Sequence, residues 1–77
     1  MSQRLPALNA REVERALAAL GFEFHHQEGS HAVYKRAMDG KRIVVAKHGA
    51  RSIPRGTLRA IIRQTGAPVE EFIANAR

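Results

Sequence analysis

Few side chains in this sequence are equipped for chemistry, and histidine is the most capable of them. The chain of 77 residues has four histidines and no cysteine. Thiolate nucleophiles, disulfides and cysteine-bound metals are therefore excluded. An imidazole titrates near neutrality, so a positioned histidine can take or give a proton at working pH. His31 stands in the run Gly29-Ser30-His31. Glycine lets the backbone turn or bulge there, which leaves Ser30 and His31 at the mouth of a strand. The plainer reading is a half-exposed strand residue bonded to a neighbour. His25 and His26 are adjacent; on a strand they point to opposite faces and cannot share one metal ion. With no His-x-His or His-x-x-x-His spacing anywhere, no metal site is expected.

The second set of chemical residues is basic. Arg55, Arg59 and Arg63 recur at i, i+4, i+8 and form one stripe of a helix. Lys47, His48 and Arg51 lie in the loop that feeds it. A helix N-terminus already presents free N–H groups and partial positive charge, so added guanidinium groups suit a phosphate. The bland alternative is a solvated charged face, although no acidic i, i+4 partner balances the stripe. Net charge is +6, from 13 Lys and Arg against 7 Asp and Glu. That favours a polyanionic partner: nucleic acid, an acidic protein or an anionic membrane face. The membrane reading is weak because no exposed aromatic or Leu-rich face adjoins the arginines. A helix-turn-helix over 58–74 is also weak, since Glu70 and Glu71 would face phosphate.

These residues need positioning by a small domain. The length allows one domain, 1–77, with a thin core. Met1 to Leu8 reads as a lead-in. Asn9 and Glu12 form a capping box, with Leu8 and Val13 at staple positions. Val13, Ala16, Leu17 and Leu20 then mark a helix over 10–20, ended by Gly21. Phe22 and Phe24 alternate with polar residues in a strand over 22–27, and Glu28-Gly29 is a turn. Ser30 to Arg36 is a second strand. Its alternation leaves open whether Val33 or Tyr34 faces the core, and so whether His31 points inward or outward. Asp39-Gly40 marks a hairpin before the β-branched strand Arg42 to Ala46. Pro54 fits the first turn of a second helix with Ser52 as its cap. Leu58, Ile61, Ile62 and Thr65 form its buried stripe, and Gly66 stops it. Pro68 starts a short terminal helix with Val69, Phe72 and Ile73. The expectation is an α+β domain of order α-β-β-β-α with a short extra C-terminal helix. Its antiparallel three-stranded sheet is covered on one face by helices. No apolar run approaches bilayer length and no signal peptide is visible, so a soluble, cytoplasmic protein is expected.

The order and spacing of several pieces resemble the HicA family of bacterial toxins. They are Leu20-Gly21-Phe22, Gly29-Ser30-His31 with Tyr34, Ile43-Val44-Val45, His48, Ile53-Pro54-Arg55-Gly56-Thr57-Leu58, Ile61 to Gly66 and Glu71-Phe72. The resemblance implies a double-stranded-RNA-binding-domain-like fold and an mRNA interferase of a toxin–antitoxin system. It further implies that His31 is the catalytic histidine and that a HicB-type antitoxin neutralises the protein.

The chemistry that follows uses the RNA 2′-OH as an internal nucleophile. His31 would be the general base and His48 a candidate acid. Lys35, Arg55 and the second helix's N-terminus are candidate anion stabilisers. Ser30, Lys35, Lys47, Arg51, Arg55 and Arg59 are expected to contact RNA. No metal, no small-molecule cofactor and no membrane enter this scheme. The alternative is a non-catalytic RNA-binding module using the same basic face.

Overall fold

The computed structural model describes residues 4–77; the first three residues of the expected lead-in lie outside the described residues. Helix α1 runs Ala10–Ala19 and begins with the expected reciprocal cap. The Glu12 N–H donates to Asn9 Oδ1 and the Asn9 N–H donates to Glu12 Oε1, each at 2.9 Å. Two otherwise orphaned donors are thereby satisfied. Val13, Ala16 and Leu17 are fully buried, as is Leu8 before the cap. Leu20 caps the helix end rather than continuing it.

Three antiparallel strands follow in spatial order β1-β2-β3: β1 (Glu23–Glu28), β2 (His31–Arg36) and β3 (Lys41–Ala46). Glu28 pairs with His31, so Gly29 and Ser30 form the two-residue turn, one position later than expected. Gly29 has φ +59° while Ser30 does not have a positive φ. That is the glycine-first pattern of a primed hairpin turn, whose twist matches the flanking strands. The second hairpin closes with Arg36 opposite Lys41, and its Gly40 N–H donates to the Arg36 carbonyl at 2.8 Å.

In β2, Ala32 and Tyr34 join the helix-side core with Ile43 and Val45 of β3. The open question about His31 is thus answered: Tyr34 faces the core, and His31 shares the opposite face with Val33 and Lys35. Val33 is also buried, but it belongs to no part of the helix-side cluster.

Helix α2 (Arg55–Thr65) departs from expectation at its start. Pro54, not Ser52, is the N-cap, and no side chain caps the helix. Ser52 instead forms an isolated bridge with Asn9, and the Ile53 N–H donates to the Leu8 carbonyl at 2.7 Å. That segment is held extended by strapping the chain ahead of α1, so Ser52 cannot fold back as a cap. Leu58, Ile61, Ile62 and Thr65 are buried as the stripe requires. Helix α3 (Val69–Ala76) buries Phe72 completely and packs along α1. The result is the α+β arrangement expected, one sheet face under helices and the other open.

Candidate active site

His31 opens the central strand, where its position is fixed from both sides. Its backbone pairs with Glu28 of β1 and with Ala46 of β3. The Lys47 N–H donates to the Ser30 carbonyl at 2.7 Å, tying the turn to the third strand as well. The imidazole is exposed on the open face. Ser30 lies beside it in the turn, also exposed.

Just beyond Ala46, the loop into α2 borders a cavity of about 170 Å³ whose walls include Ala46, His48, Arg51, Ser52, Pro54 and Thr57. Ala46 is the cross-strand partner of His31, so this cavity begins next to the histidine's strand position. The first turn of α2 carries no acidic residue and no side-chain cap. Its orphan N–H groups and dipole are left for an anion. In contrast, α1 closes its N-terminus with Glu12, and α3 has Glu70 and Glu71 in its first turn. Arg55 and Arg59 are exposed along α2, and among the described residues neither forms an ion pair.

Two of the expected RNA contacts stand apart from this centre. Lys47 turns toward the helix side, where its Nζ lies 3.5 Å from Glu14 Oε2. The same carboxylate oxygen accepts a hydrogen bond from the Tyr34 hydroxyl at 2.7 Å. Burial, then the Glu14 carboxylate, push the Tyr34 phenol well above its ordinary value, so it stays a neutral donor. Lys35 does share the open face with His31, but four residues along β2, about 13 Å away.

The geometry also corrects the reading of the paired histidines. Between Phe24 and His26 the β1–β2 register shifts by a bulge. The extra residue breaks the alternation, and His25 and His26 approach instead of diverging: their Nδ1 atoms are 2.7 Å apart. His26 Nε2 also lies 3.5 Å from Glu28 Oε2. The His25 imidazole has a lowered pKa, chiefly from the Lys35 charge, then from burial, His26 and Arg42. Among the described residues no group of three or more metal-ligating side chains gathers.

Sequence reasoning missed two arginines. Arg42 faces Lys35 directly across β2 and β3, a pairing readable only once the hairpin register is known. Arg36 lies nearly buried at the other end of β2. Its Nη1 donates to the Leu20 carbonyl and its Nη2 to the Thr65 carbonyl, each at 3.0 Å, closing the C-terminal ends of both α1 and α2. The guanidinium also stacks 4.4 Å over the Phe22 ring. It acts as a brace between the two helix ends.

Comparison with known proteins adds an independent line. A family model described as the HicA toxin of bacterial toxin–antitoxin systems matches residues 10–67. A protein of Pseudomonas fluorescens (strain Pf0-1) named "Probable mRNA interferase HicA" is 38% identical over 55 residues, covering 71% of this chain and 88% of that relative.

Proposed function

The chain belongs to the HicA toxin family, and from that premise we propose that it is a toxin ribonuclease with His31 as general base. One observation carries the assignment: an exposed imidazole held at the start of the central strand, whose cross-strand partner Ala46 lines the cavity that leads to α2. The name of the Pseudomonas relative, an mRNA interferase, supports RNA as the substrate.

The step uses the substrate's own 2′-OH. His31 removes its proton, the 2′-oxygen bonds to phosphorus, and the bond from phosphorus to the 5′-oxygen breaks. His48 returns a proton to that leaving oxygen. Charge developing on the non-bridging oxygens is met by the uncapped N-terminus of α2, with Arg51 and Arg55 beside it. The products are a 2′,3′-cyclic phosphate and a 5′-hydroxyl. No metal has a part in this sequence of bonds. Removing a positioned base of this kind lowers the rate by roughly 100- to 10,000-fold.

A HicB-type antitoxin is the partner that this reading requires. An acidic surface laid over Arg55, Arg59 and the His31 mouth would exclude RNA by occupying the basic face. A toxin–antitoxin complex that cleaved RNA at the free rate would rule that out.

The decisive experiment is a digest of single-stranded RNA by the wild type and by His31→Ala, with EDTA present and the product ends identified. Cyclic-phosphate ends from the wild type and none from the variant are expected. An all-deoxy oligonucleotide should survive, because it lacks the nucleophile. Equal cleavage by both proteins would remove His31 from the mechanism. Binding without cleavage by either would leave an RNA-binding module.

A further inference from the structure

We propose that the open face of the sheet is a track for single-stranded RNA, with Lys35 and Arg42 holding a phosphate roughly two nucleotides from the bond presented to His31. The His25–His26 pair lies between the two ends and supports the intervening bases. This reading deepens the ribonuclease assignment, since it takes His31 as the reacting end.

The strongest observation is an arrangement that the fold alone does not explain. Lys35 and Arg42 are directly opposite each other on β2 and β3. Like charges in that relation destabilise a sheet. Glu23 faces Lys35 from β1, yet among the described residues neither Lys35 nor Arg42 forms an ion pair. Both are exposed. A polyanion seated there turns an unfavourable pair into a phosphate clamp.

The rows of the open face then read as a sequence of subsites. At one end His31 lies between Glu28 and Ala46; in the middle Val33 lies between His26 and Val44; at the other end Lys35 lies between Glu23 and Arg42. The bulge delivers a second imidazole to the middle, where His25 and His26 meet edge-on with ring centroids 4.9 Å apart. Exposed imidazole rings are among the side chains on which unpaired bases stack. Val44 remains exposed beside them and adds an apolar floor. The face has the elements of a single-strand site: a basic end, rings for bases, and a reactive end.

The test measures binding, so it does not depend on cleavage. A fluorescent 2′-O-methyl octanucleotide, which lacks a free 2′-OH, and its trinucleotide counterpart are titrated against wild type and the double variant Lys35→Met/Arg42→Met. The wild type should bind the octanucleotide much more tightly, and the double variant should lose about tenfold of that affinity. Its log–log salt slope should become shallower by about 0.7, the contribution of one single-strand phosphate contact. A second double variant, His25→Ala/His26→Ala, should weaken the octanucleotide while leaving its salt slope nearly unchanged. Equal affinities and slopes for wild type and Lys35→Met/Arg42→Met would overturn the proposal. So would a loss confined to an acidic antitoxin with RNA binding intact, which would assign the face to a protein. If the track binds as stated but His31→Ala cleaves like wild type, only the catalytic assignment fails.

Discussion

Arg36 grips Asp39 through two hydrogen bonds, Nε to Oδ1 at 3.2 Å and Nη2 to Oδ2 at 2.8 Å. The same carboxylate accepts the Lys41 N–H at 3.2 Å, so one acid shapes the β2–β3 turn and holds the brace that closes two helices. These bonds hold the Asp39 carboxyl well below the ordinary carboxylate range, at about 2, against the opposing effect of burial. Because the folded value is depressed, the unfolded chain takes up the proton first as pH falls. The stabilisation is therefore complete above the ordinary carboxylate value of about 4 and is lost as pH falls toward 2. Thermal midpoints of wild type and Asp39→Asn between pH 6 and pH 2 check this. The wild type should lead at neutral pH, and the gap should shrink as pH approaches about 2.

Phe72 anchors α3, and its ring is completely buried. Phe72→Ala should cost about 3–5 kcal/mol by removing a large core side chain and leaving a cavity. In a domain with so small a core, that is a large share of total stability. A urea titration should show the midpoint collapsing, with α1 losing protection in hydrogen exchange alongside α3.

Gly29 holds the turn that delivers His31. A methyl group there would meet nothing within 4 Å, so any penalty comes from the positive φ of +59°. Gly29→Ala should cost about 1–2 kcal/mol. RNA cleavage should fall further than stability explains, because the turn sets the histidine's register. Gly56, in the first turn of α2, also has open space and no positive φ. Gly56→Ala should raise stability by about 0.5–1 kcal/mol, and chemical denaturation of the pair separates the two effects.

Binding of single-stranded RNA should weaken steeply with salt. About three or four phosphate contacts give a log–log slope of roughly −2 to −3. Anisotropy titrations across a range of potassium chloride concentrations measure it directly. A flat dependence would count against every RNA reading of the basic face.

Much of this protein was legible along the chain because the deciding interactions are local. The Asn9–Glu12 cap spans three residues, the stripe Leu58, Ile61, Ile62 and Thr65 repeats within one helix, and Asp39-Gly40 marks its own turn. Helix and strand order follow from such short-range signals. Tertiary structure decided which face His31 occupies, since Val33 and Tyr34 are both buried and only the helices' position distinguishes them. It also paired Lys35 with Arg42, which requires the register of a neighbouring strand. The meeting of His25 and His26 requires a bulge, whose extra residue answers to a partner strand and leaves no mark in the alternation itself. Arg36 reads as a surface cation because its acceptors at Leu20 and Thr65 are 16 and 29 residues away. Periodicity records what a residue's near neighbours require; register, bulges and long-range acceptors exist only once distant segments have packed.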